Sequence, residues 1–190
     1  MKSFKPITVL LTSLIAALSS FQILAVETLD SHEHGSANLN IAIDNKVIAI
    51  HFESPAVNII GFEYQPNDEA QRSLISAAKS KLSNFANSYE LQGEPNCLMI
   101  SSSADWVSEH SESEHSEQDE TVGASLETEH AEFVVEFELQ CEQINNLTAI
   151  DVSLLALFPA IDEIDTQVIY TGGQIKQELT RNNTLIKLMK

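Results

Sequence analysis

The chain has 190 residues, 43% of them hydrophobic, and sets 28 Asp and Glu against 10 Lys and Arg for a formal net charge of -18. That length supports a domain with a real core, and the acidity excludes nucleic acid as a partner, because binding phosphates needs a basic surface. No Lys or Arg falls between Lys81 and Lys176 while nineteen Asp and Glu do, so the field of this region attracts cations.

The first residues carry Lys2 and Lys5 and then a mainly apolar run from Ile7 to Leu18. A charged start and a short apolar run are the pattern of a signal peptide, and the run is shorter than the roughly 20 apolar residues that span a bilayer. The expectation is a cleavable leader over residues 1–25, ending at Ala25, and one exported domain over 26–190 that is not an integral membrane protein. Loss of the two leader lysines takes the net charge to about -20.

His32-Glu33-His34-Gly35 opens this domain. In extended backbone His32 and His34 point to the same side about 6–7 Å apart, which is half a zinc site. Ala37, Leu39, Ile41 and Ile43 alternate as one face of a strand, Asp44-Asn45-Lys46 is turn chemistry, and Val47 to Phe52 resumes as a second strand, so a hairpin is predicted. His51 then falls near Asn38, roughly 13 Å along the strand from His34, and is read as a bystander. Asn67 or Asp68 caps a predicted helix running to about Ser88, with Leu74, Ala78, Leu82 and Phe85 as its apolar stripe.

The two cysteines bracket a second predicted hairpin. Cys97 begins a strand, and Ala131, Phe133, Val135, Phe137, Leu139 and Cys141 alternate strictly along another. With Cys97 opposite Cys141, Trp106 faces Glu132 and Ser108 faces His130. An even cysteine pair in an exported chain favours a disulfide. Further on, Thr148 to Phe158 reads as a buried strand, Pro159 to Ile164 as a turn or short helix and Thr166 to Tyr170 as a strand. Gln174 to Arg181 and Thr184 to Met189 read as a terminal hairpin around Asn182-Asn183. The predicted fold class is α+β: a mainly antiparallel sheet of hairpins covered by one amphipathic helix, with a long acidic, His-containing loop.

That loop, Glu109 to Glu132, holds three of the six histidines, His110, His115 and His130, among nine carboxylates and no Lys or Arg. Imidazole and carboxylate together suit zinc, and residues 109–130 read as a flexible insert that could fold around an ion. A solvated acidic loop has the same composition, so composition alone leaves both readings open. No nucleophile elbow, H-E-x-x-H helix or glycine-rich phosphate loop is present, and an enzyme is not expected.

The run HEHGSANLNIAI, the segment SPAVNIIGFEYQP, the cysteine pair around a His and acid insert, HAEFVVEFELQC and LFPAIDEIDTQVI together resemble the ZrgA-type periplasmic zinc-uptake proteins across essentially the whole mature chain. Two departures are that the insert has only three histidines where relatives carry long His/Asp runs, and that Tyr64 stands where the family pattern has histidine after Gly-Phe-Glu. The resemblance implies a non-enzymatic, exported zinc-binding protein of a Gram-negative bacterium, working beside an ABC-type zinc importer. His32 and His34 match the family's opening motif, while His110, His115 and His130 match its insert and the histidine that follows it. With Glu132 beside His130, these are the expected Zn(II) ligands, and Cys97 and Cys141 the expected disulfide. An envelope interaction domain, its acidic loop holding calcium or a partner protein, is the alternative.

Overall fold

In the computed structural model, residues 33–109 and 130–188 are described. The expected leader, His32 and the insert histidines His110 and His115 lie outside those residues.

The first hairpin is strand β1 (Ser36–Asp44) against β2 (Val47–Pro55), antiparallel, with Asp44 opposite Val47 and Asn45 in the left-handed region at φ 51°. Burial alternates along β1, hiding Ala37, Leu39, Ile41 and Ile43 and leaving Asn38, Asn40 and Asp44 outside. The tight turn sets the register, so His51 faces Asn40, two residues nearer the turn than the expected Asn38. Pro55 leads into the short helix α1 (Ala56–Ile60), which Gly61 ends at φ 85°.

The predicted long helix is broken in two. Helix α2 (Glu69–Leu82) starts at Asp68, whose side chain accepts from the Gln71 N–H, and stops at Ser83. Asn84 then caps a separate turn, α3 (Phe85–Ser88), by accepting from the Ala86 N–H. That side chain offers the backbone an alternative to continued helix. The buried stripe is Ala78 and Leu82 with Ile75 packed beside them, and Leu74 is exposed on the solvent side.

Strands β3 (Tyr89–Gln92), β4 (Cys97–Glu109) and β5 (His130–Cys141) follow. Cys97 stands opposite Cys141 and is disulfide-bonded to it. The register then shifts between Met99 and Ser101, so Trp106 faces Phe133, Ser108 faces Ala131 and Glu109 faces His130, one residue off the expected pairing. A one-residue bulge flips every later side chain to the other face. Here it turns Ala104 and Trp106 toward the core and Asp105 outward, which an unbroken register would have reversed.

The apolar run after Thr148 is a strand and then a helical turn, β6 (Ala149–Val152) and α4 (Leu154–Leu157), rather than one strand. Each piece is four residues, too short for its own period to show in the sequence. Strands β7 (Glu163–Tyr170) and β8 (Gly173–Thr180) form a hairpin, whereas β9 (Leu185–Lys187) leaves it and pairs with β6. Only a Thr180–Asn183 bridge remains of the predicted terminal hairpin, because Ile186 is drawn opposite Ile150 into the core.

These strands make a six-stranded sheet, β4-β5-β2-β1-β7-β8, antiparallel except where β1 runs parallel to β7, and a small sheet β3-β6-β9. The fold is α+β, as expected. One core joins the inward side chains of the large sheet to Ile150, Val152, Leu154, Leu155 and Ile186. The opposite face of the large sheet carries Glu53, Glu136 and Glu138 toward solvent. Among the described residues no helix is long and apolar enough to cross a membrane.

The disulfide closes a loop with a sequence separation of 44 and ties the sheet's edge strand to its neighbour. Replacing both cysteines by serine is expected to cost about 2–4 kcal/mol in urea-unfolding experiments against the oxidised parent, with the fold retained in far-UV circular dichroism.

Candidate metal centre

The centre is assembled at the start of β1. Gly35 sits at φ +90°, and its N–H donates to the Asn58 Oδ1 at 2.9 Å. The same side chain donates through Nδ2 to the Ser36 carbonyl at 2.9 Å and to the Ser54 hydroxyl at 3.3 Å. Asn58 is a buried polar residue of α1, so its amide is a clamp with its partners in place. The Gly35 carbonyl accepts from the Asp162 and Glu163 N–H groups, which fastens the same turn to the beginning of β7. Backbone held from two sides presents His34 in one place.

Gly61 turns the chain after α1 and sends Phe62-Glu63-Tyr64 back past β4. Phe62 is buried, with its ring 6.0 Å from Trp106 and 5.0 Å from Tyr64. Gln65 donates to the Ser108 hydroxyl at 2.7 Å, and the Tyr64 hydroxyl accepts from Gln71 at 3.0 Å. These contacts hold the segment over the sheet end and leave the Glu63 side chain only 16% exposed.

Glu63 is where the two histidine arms meet. Its Oε1 lies 3.3 Å from the His34 Nε2 and 3.1 Å from the His130 Nδ1, while its Oε2 is buried and has no hydrogen-bond partner. His130, the first residue of β5, belongs to the insert's far end, so the expected N-terminal and insert arms converge on one carboxylate. Two imidazoles and a carboxylate are a donor set that zinc accepts. Among the described residues, no three His, Cys, Asp or Glu side chains are grouped so as to hold an ion as they stand. Oε1 lies between the two rings.

Of the other expected ligands, Glu132 lies two positions along β5, opposite Pro55. His51 is elsewhere, beside Glu53 and Glu136. Sequence reasoning missed Glu63 and Asn58. Glu63 stood within the Gly-Phe-Glu run, and its isolation from any other ligand type in sequence hid it.

Acidic side chains crowd the neighbouring end of β7. The Glu163 carboxyl is held above its usual range chiefly by Glu178, with desolvation, Asp165, Glu33 and Asp162 adding. Glu33 adjoins His34, so this end of the sheet is locally attractive to a cation.

The family model described as ZrgA family zinc uptake protein matches residues 31–188, and the chain belongs to that family. The match links it to zinc uptake and covers both histidines of the centre, His34 in the turn before β1 and His130 at the start of β5. Comparison with curated proteins gives no match.

Asn58→Ala removes the acceptor of the Gly35 N–H and the donor to Ser36 together. It is expected to cost about 1–3 kcal/mol in urea unfolding. The ring resonances of His34 should broaden or shift in the folded variant, whereas those of His51 should not.

Proposed function

We propose that this chain is a non-enzymatic periplasmic carrier, exported by a cleavable signal peptide, that captures Zn(II) and supports its uptake through an ABC-type importer. The first ligands are His34, His130 and Glu63. His32, His110, His115 and Glu132 are further donors that bring the ion in or complete its shell.

The observation that carries this reading is the state of Glu63. One oxygen serves two imidazoles and the other is buried with no donor, and a buried polar atom left unpaired costs about 1–3 kcal/mol, more when charged. A cation between the rings and the carboxylate removes that cost. Two imidazoles favour zinc over calcium, which takes oxygen ligands. The exposed His34 ring leaves the ion a path in and out.

The capture step is displacement. Zinc takes the nitrogens that now contact Oε1, the carboxylate turns to become a ligand, and any proton on the ligating nitrogens is released. Protons compete for the same atoms, so zinc binding weakens as the solution is acidified.

Calorimetric zinc titration of the mature domain at neutral pH tests the assignment. Glu63→Ala and the pair His34→Ala/His130→Ala are each expected to weaken the tightest site roughly ten- to a hundredfold or more. The pair His110→Ala/His115→Ala should lower stoichiometry or capture at low zinc and leave that site in place. Unchanged affinity and stoichiometry in the Glu63→Ala and His34→Ala/His130→Ala proteins would overturn the centre, and equal affinity for calcium would favour an envelope interaction domain instead.

A further inference from the structure

His51 lies outside this centre, on the solvent face of the large sheet. Its strand neighbours are Asn40 on β1 and Glu136 on β5. The ring stands between two carboxylates: Nε2 is 2.7 Å from the Glu53 Oε1 and Nδ1 is 3.5 Å from the Glu136 Oε1. A neutral imidazole has one N–H, so it serves one of these carboxylates and turns a lone pair toward the other. Among the described residues no lysine or arginine pairs with Glu53 or Glu136 to settle the difference. Along this row of the sheet the register runs from His51 through Asn40 and Gln167 to Lys176, three strands away and about 14 Å distant. Lys79 is engaged with Asp105 at 3.0 Å.

A divalent cation at Nε2 satisfies all three groups at once. Glu53 shares the ion with the ring, and Nδ1–H points at Glu136. A carboxylate on the far nitrogen is the usual device that fixes the tautomer and orientation of a metal-binding histidine. The ring and the Glu53 side chain are both part-exposed, so water reaches this position to complete the shell.

We propose that His51 and Glu53 form a second, open zinc station on the sheet face, with Glu136 as its positioning residue. Two protein ligands and water make it weaker and faster to exchange than a three-ligand centre. The station stands on its own geometry and does not require the His34–His130 centre.

A doubly protonated His51 satisfies both carboxylates equally well, so the test must separate a proton from a metal. Zinc is titrated into the full mature chain carrying His34→Ala and His130→Ala at neutral pH, and the imidazole nitrogens are followed by NMR, with His51→Gln supplying the assignment. The expected result is a saturable shift of His51 Nε2, absent in Glu53→Gln and weakened about tenfold in Glu136→Gln, with all variants folded by their amide spectra. A ring doubly protonated before zinc is added and unmoved up to about 1 mM zinc overturns the station, as does a titration unaltered by Glu53→Gln. His34 and His130 in the parent chain report on the first centre separately, so one site can fail without the other.

Discussion

The junction at Gly35-Ser36 is the constraint from which the arrangement of this protein follows. The side chain of Asn58 holds both peptide groups from α1, and the Gly35 carbonyl holds the start of β7, so three elements distant in sequence are fixed at one point. The parallel pairing of β1 with β7 begins there, as does the placement of His34. A buried amide is costly when any of its bonds is missing, so the junction is either complete or broken. That all-or-none character is what a metal centre requires of its scaffold, because ligand atoms displaced by an ångström no longer share an ion.

The parts of the fold that were legible in sequence are those in which one chemical pattern had one structural solution. Strict alternation from Ala131 to Cys141 and from Ala37 to Ile43 identified core strands, because a half-buried strand alone gives period two. Thr148 to Phe158 reads as one strand because the strand and the helical turn that meet at Ser153 are four residues each, too short for either period to show. The bulge at Ile100 was invisible for a different reason. Leu98, Met99 and Ile100 are all exposed, so no demand for burial marked where the strand changes face, and the sign that it had done so is Ala104 and Trp106 turned inward beyond it. The site divided similarly. His34 and His130 were nameable by residue type, but Glu63 is one acid among 28, and only the turn at Gly61 distinguishes it.

Acidity has two distinct roles in this molecule. The general excess of carboxylates makes a long-range field that gathers cations without choosing among them, and salt screens it over about 8 Å at physiological ionic strength. Choice arises where a carboxylate meets an imidazole, because nitrogen donors favour zinc over the hard cations that share the periplasm under the proposed localisation. Charge therefore supplies concentration, and the histidines supply identity.

The two imidazole settings differ in a way that bears on the proposed carrier role. At Glu63 the carboxylate is largely enclosed and one of its oxygens lacks any partner, so an ion there recovers a desolvation cost already present in the apo protein and is held more firmly for it. At His51 both carboxylates are open to water, so an ion recovers little and leaves easily. The proposed carrier role needs both properties, since a firm site alone would keep its zinc and a loose site alone would lose it to other ligands. Enclosure by Phe62 and its neighbours, more than the number of acids, separates the firm setting from the loose one.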